Sequence, residues 1–118
     1  MPIPSQLSSA KYASLTTFKK DGAAVRTPIW FAKNDGKLYF MTRNDSWKYK
    51  RIRNNPRVSV APCTMRGKVT GPDFPGQARV LPQEEWSDAR KVLRRKYWLM
   101  YLPTWSRRNE FLEITLMS

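Results

Sequence analysis

This chain of 118 residues carries 22 Lys and Arg against nine Asp and Glu, a formal charge of +13 that suits an anionic partner: nucleic acid, an acidic membrane surface or a phosphorylated cofactor. Histidine is absent and cysteine occurs once, which excludes Ser-His-Asp and Cys-His nucleophile systems and an internal disulfide, and leaves no metal site to expect. Hydrophobic residues at 41% and charged residues at 26% describe one globular domain over residues 1–118, with no apolar run approaching the roughly 18 residues of a membrane span.

The first half reads as hairpins. Tyr12 to Phe18 is rich in β-branched and aromatic residues and ends at Lys19-Lys20-Asp21-Gly22, a hairpin-type turn. Ala23 to Lys33 sets Val25, Thr27, Ile29 and Phe31 on one face against Arg26, Pro28 and Trp30 on the other. Pro28 cannot donate to a ladder, so that strand needs an edge or an irregularity. Asn34-Asp35-Gly36 is a second turn signal, and Leu38 to Thr42 a third strand. After Asn44 the period changes: Asp45 or Ser46 can cap a short helix through about Asn54, closed by Asn55-Pro56.

Arg57 to Cys63 reads as another strand, with Val58, Val60 and Pro62 alternating against Ser59 and Ala61. Gly67 to Gly76 holds Gly-Pro and Pro-Gly dipeptides and is expected to be a loop, with strand returning over Gln77 to Leu81. Pro82-Gln83-Glu84-Glu85 opens the clearest helix, acidic in its first turn and basic at Arg94-Arg95-Lys96. Its stripe Trp86, Ala89, Leu93, Tyr97 is read as packing. Trp98 to Trp105 is aromatic and broken by Pro103, and Phe111 to Met117 looks like a closing strand that alternates. Short strands with helices between neighbours predict a mainly β fold, an antiparallel barrel with helical insertions.

The informative junction runs from the Leu38 strand through Thr42 to Ser46 and Lys48. A helix N-terminus presents free backbone N–H groups and the positive end of the dipole. Thr42 and Ser46 add hydroxyls, Lys48 adds a charge, and together they can bind a phosphate, although capped helices that bind nothing share this pattern. Cys63 has no adjacent base and reads as a small buried hydrophobe.

The order Phe-Met-Thr at 40–42, Lys48, a basic helix, then Asn54-Asn55-Pro56-Arg57-Val58-Ser59-Val60 resembles the pyridoxamine 5′-phosphate oxidase-like, FMN-binding split-barrel superfamily. Lys11 to Phe18, Thr27 to Phe31, and Ala61-Pro62-Cys63 before Arg66-Gly67 make it similar to the F420-dependent branch. The resemblance covers about Lys11 to Leu81 and implies a Greek-key-like split barrel whose cofactor lies between two copies in a homodimer. It assigns the cofactor phosphate to Thr42, Ser46 and Lys48, and to Arg26 the same phosphate or its ribityl chain. Thr27, Pro28, Ile29 and Trp30 would edge the tricyclic ring through their backbone, and Met41 would touch the chain. Trp47 stands where the family commonly has an arginine or a small residue, and Arg90 to Ser118 has no matching pattern.

The resemblance implies F420 or FMN as cofactor and an oxidoreductase moving a hydride to or from a small organic substrate, with no catalytic side chain assigned. F420 carries a polyglutamate tail besides its phosphate, which a +13 chain suits. Two rivals stay open. A basic, aromatic-rich β-barrel for single-stranded nucleic acid fits the composition, above all Arg90 to Arg108, which has no acidic residue. A non-catalytic carrier of flavin or haem could use the same fold, although haem would lack its usual histidine. The N-terminus, Met1-Pro2-Ile3-Pro4-Ser5, lacks the regions of a signal peptide, and with one cysteine a cytoplasmic location is expected, with no membrane partner.

Overall fold

The computed structural model describes residues 3–8, 10, 12–34, 36–96 and 109–117. Seven antiparallel strands form one sheet: β1 (Tyr12–Phe18), β2 (Ala24–Trp30), β3 (Ala32–Asn34), β4 (Lys37–Arg43), β5 (Arg57–Cys63), β6 (Phe74–Val80) and β7 (Asn109–Leu116). Their order is β2-β1-β5-β6-β7-β4-β3. The two edge strands are consecutive in sequence and joined through Phe31 alone, so the chain bends there and crosses from one edge of the curled sheet to the other. That is a split barrel. Phe31 is fully buried at the bend.

Alternation builds the interior. Leu15 and Ala13 of β1, Val58 and Val60 of β5, Leu38 and Phe40 of β4, and Leu112, Ile114 and Leu116 of β7 form one buried cluster with Ile29 and Phe31. Full burial of each large side chain contributes about 1.5–3 kcal/mol. The expected position of Pro28 holds, because β2 is an edge strand and Pro28 lies opposite Ser14. Gly22 closes the first hairpin turn at φ 89°, where an L side chain is strained. A short helix α1 (Ser5–Ser8), which the sequence did not announce, inserts Leu7 into the same core.

Helix α2 (Trp47–Asn54) is capped by Ser46 and buries Tyr49 and Ile52 against the barrel. A 3-10 turn (Gln83–Glu85) leads into α3 (Trp86–Lys96), which lies on the outer face of β3, β4 and β7. There Ala89, Val92, Leu93 and Phe111 make a second cluster with Trp86 and Met41. The stripe of α3 is packing, as expected, and the Trp86 indole donates to the Leu81 carbonyl at 3.1 Å; Tyr97 and Trp98 to Trp105 lie outside the described residues.

Two expectations are corrected. Strand β6 starts at Phe74, so Pro75 and Gly76 belong to the sheet and not to a loop. A Cβ on Gly76 would lie 2.8 Å from the Thr115 carbonyl oxygen, so close passage against β7, not a turn, demands this glycine. Alternation also fails in β7, where Phe111, Leu112, Glu113 and Ile114 are all buried, and at the end of β5, where residues 60–63 are. On β7 the cause is the cover that α3 gives the outer face.

Candidate functional site

The end of β4, a tight turn and the start of α2 bring Thr42, Ser46 and Lys48 into one local structure. Ser46 has the extended backbone of an N-cap, with φ −75° and ψ 152°. Its Oγ accepts the Tyr49 N–H at 3.3 Å and lies 3.0 Å from Thr42 Oγ1. Two hydroxyls own two protons, and their mutual bond uses one, so one O–H remains to donate elsewhere. The first-turn N–H groups of Trp47 and Lys48 have no partner among the described residues, which is the normal state of a helix start.

Charge at this junction is unbalanced. The first turn of α2 holds no acidic residue, and a lysine at a helix N-terminus opposes the dipole. The half-buried Lys48 ammonium has no counter-ion among the described residues, and burial first, then the nearby Arg51 guanidinium, hold it below the ordinary lysine value. Asp45, the nearest carboxylate in sequence, is held by Arg43 through two bonds of 3.1 and 2.9 Å. An anion placed here would balance that charge.

Glu110, which sequence reasoning passed over, lies opposite Thr42 across β4 and β7. Its Oε1 accepts the Tyr49 hydroxyl at 3.3 Å, and Arg53 donates to that same hydroxyl at 3.3 Å. No local signal points to Glu110, because only strand pairing brings it there.

The remaining predicted residues are dispersed. Met41 follows the strict alternation of β4 and turns into the cluster under α3, on the opposite face from Thr42. Arg26 is occupied: its guanidinium pairs with Asp73 and donates to Ser14 Oγ at 3.3 Å. Pro28 and Trp30 share that outer face with Arg26, Trp30 standing edge-on to Tyr12 at 6.1 Å between centroids. Ile29 is core, and the Thr27 hydroxyl is buried with no partner among the described residues. Trp47 is 71% exposed and borders a groove on the far side of α2. Cys63 is buried, and burial pushes its thiol up, consistent with a packing role.

A second polar cluster lies on the α3 side. The buried carboxylate of Glu113 accepts from Tyr39 at 3.1 Å, Arg79 at 3.4 Å and Lys37 at 3.5 Å. Arg79 is also held by Glu85 at 2.9 and 3.0 Å. Its charges are matched among the described residues.

The pyridoxamine 5′-phosphate oxidase family model matches residues 3–117. The chain belongs to that family. Solved structures share the fold at low identity. HutZ, the haem storage protein of Vibrio cholerae, superposes with a TM-score of 0.77 at 12% identity, over 93% of this chain and 84% of that one. An F420 reductase gives 0.69 at 20% identity over 98% and 97%. A FAD-binding protein of Mesorhizobium loti gives 0.71 at 22% identity over 96% and 86%. No curated protein matches.

Proposed function

We propose that this chain is an oxidoreductase that uses F420 or FMN to move a hydride to or from a small organic substrate. The observation that carries the reading is a helix start at which the Ser46 cap is paired with Thr42, Lys48 follows two residues on with no counter-ion, and two first-turn N–H groups have no partner among the described residues. A cofactor phosphate would receive the spare hydroxyl proton, the two N–H groups and the Lys48 charge. Arg26 would join only by leaving Asp73. When bound, the flavin or deazaflavin supplies the hydride chemistry. The protein's part is to hold the phosphate, present the backbone of Thr27 to Trp30 to the ring, and keep water away. The large positive charge favours F420 over FMN, since the polyglutamate tail adds carboxylates.

The same reading makes the protein a homodimer with the cofactor between barrels. Its support is an exposed apolar patch at one end of the β2–β1–β5 face: Trp30 is 49% exposed, Met65 69% and Val69 38%. Tyr12 pairs with both Trp30 and Cys63, and Val69 bridges Cys63, so Trp30 and Val69 lie at the same end of neighbouring strands, and Met65 follows Cys63 by two residues. Light scattering is expected to return twice the 13.8 kDa chain mass, and a monomer at micromolar concentration counts against the interfacial site.

The deciding experiment titrates FMN and F420 separately into the protein and into Lys48→Ala, read by absorbance and fluorescence. Loss of a charge-assisted bond costs about 1.5–3 kcal/mol, roughly 10- to 150-fold in affinity. Unchanged affinity removes the phosphate assignment. Binding by the intact protein should persist at half-molar salt, since ring burial and neutral hydrogen bonds are little screened.

A further inference from the structure

A groove of about 540 Å³ runs between α2 and the tip of the β1–β2 hairpin. That size lies within the roughly 300–1,000 Å³ typical of small-molecule sites. Its apolar surface comes from Phe18 and Val25 on the hairpin and Trp47 on the helix. Around these stand Lys19, Lys20, Lys50 and Arg51, and no carboxylate lines it. Asp21, in the same hairpin turn, accepts the Ala23 N–H at 2.9 Å.

Helical geometry separates this groove from the phosphate cradle. Trp47, Lys50, Arg51 and Asn54 follow the i, i+3, i+4, i+7 spacing of one stripe. Lys48 lies about 100° round the helix from Trp47 and does not line the groove. The groove's residues are preset. Arg51 is fixed by donating to Thr17 Oγ1 at 2.7 Å, and the Lys50 ammonium lies 4.7 Å from the Trp47 ring centroid. Arg57 stands 5.0 Å from the Phe18 ring. Neither Lys19 nor Lys20 has a side-chain partner among the described residues.

Cations alone would serve any anion. An indole left 71% exposed among four cations adds a requirement for a flat ring. We propose that this groove is a second ligand site, binding a nucleobase-sized aromatic ring that bears a phosphate, with the ring on Trp47 and the phosphate among Lys19, Lys20 and Lys50. The site uses none of the cradle's side chains, and Trp47 would give the cradle only its backbone N–H, which Trp47→Ala leaves in place, so the groove stands or falls apart from the cofactor reading.

The test titrates AMP, adenosine and ribose 5-phosphate into the full chain by calorimetry, with tryptophan fluorescence in parallel. AMP is expected to bind and quench, and adenosine and ribose 5-phosphate each to bind at least tenfold more weakly. Trp47→Ala, a change at an exposed position, should abolish the quench and weaken AMP at least tenfold. A combined Lys19→Gln, Lys20→Gln, Lys50→Gln variant should weaken AMP similarly and flatten its salt dependence. Lys48→Ala should leave AMP affinity within twofold, whatever it does to FMN or F420. The proposal is overturned if AMP does not bind, or if ribose 5-phosphate equals AMP. It is also overturned if the loss follows Lys48 instead of Trp47, or if a ten-nucleotide single strand binds a hundredfold tighter than AMP at equal salt. That last result would make the groove part of a strand-binding surface.

Discussion

The two faces of β4 differ in how they treat charge. Toward α3, Tyr39 meets Glu113, and Glu113 meets Lys37 and Arg79, which is itself held by Glu85. Every one of these charged groups has an opposite partner, and beside them Met41 and Phe111 pack under Leu93 and Ala89. Toward α2, Thr42 meets Ser46 at a helix start where Lys48 has no counter-ion among the described residues. One strand therefore separates a region whose charges are matched among the described residues from a region whose positive charge an added anion would balance. Matched charge with a packed helix serves stability, and under the proposed function the unmatched donors would serve binding.

The largest expected effect tests the packed side. Leu93→Ala deletes a buried side chain from under α3, and such deletions cost about 2–5 kcal/mol. Urea denaturation should show that loss, while cofactor affinity extrapolated to the folded protein stays unchanged. If affinity falls as steeply as stability, the two faces are not independent.

Gly76→Ala should also be costly, because the new Cβ would lie 2.8 Å from a β7 carbonyl oxygen. Overpacking of this kind costs about 1–3 kcal/mol. A melting temperature unchanged from the parent would show that β6 and β7 can spread without loss.

Lys48 should reverse the usual sign. Lys48→Met removes a half-buried ammonium opposed to its helix dipole, so the unliganded protein should gain about 0.3–1 kcal/mol while cofactor binding weakens. A variant that loses both stability and binding would mean the lysine is structural.

The smallest effects come from pH and salt. Lys48 ionises in the folded chain below its ordinary value of 10.5, so folding disfavours its charged form. This cost is fully present below the folded-state pKa and relaxes as pH rises through it toward 10.5. The unliganded protein should gain slightly in stability across that window, and cofactor affinity should fall across it, because the deprotonated amine no longer attracts phosphate. A lysine in open solvent would hold affinity level until nearer 10.5. On the other face, Arg79 and Glu85 are both about half exposed, so Glu85→Gln should change the melting temperature least of all, and less again in high salt.

Much of this arrangement was readable without coordinates. Pro28 required an edge, and β2 is one. The cap at Ser46, the bounds of β1 and the stripe of α3 follow from spacing and side-chain chemistry that operate over a few residues. Strict alternation on β4 already implied that Met41 and Thr42 face opposite ways, and they do. Pro75 and Gly76 were misleading because punctuation residues usually mark loops, and here a neighbouring strand passes too close for any side chain.

Local periodicity, capping chemistry and a sum over residues were enough for the mainly β class, a helix start at Asp45 or Ser46 and the excess of positive charge; the coordinates chose Ser46. Which cations are matched follows from the folded chain alone. Arg26 finds Asp73, and Glu113 gathers Tyr39, Lys37 and Arg79, by strand pairing and loop packing across long stretches of chain. Lys48 finds no such partner among the described residues, and Trp47 is turned to another groove by one step of helical rotation. Attraction between charges falls with distance and with water between them, so a residue's partner is fixed by where the fold places it and not by its position in the sequence.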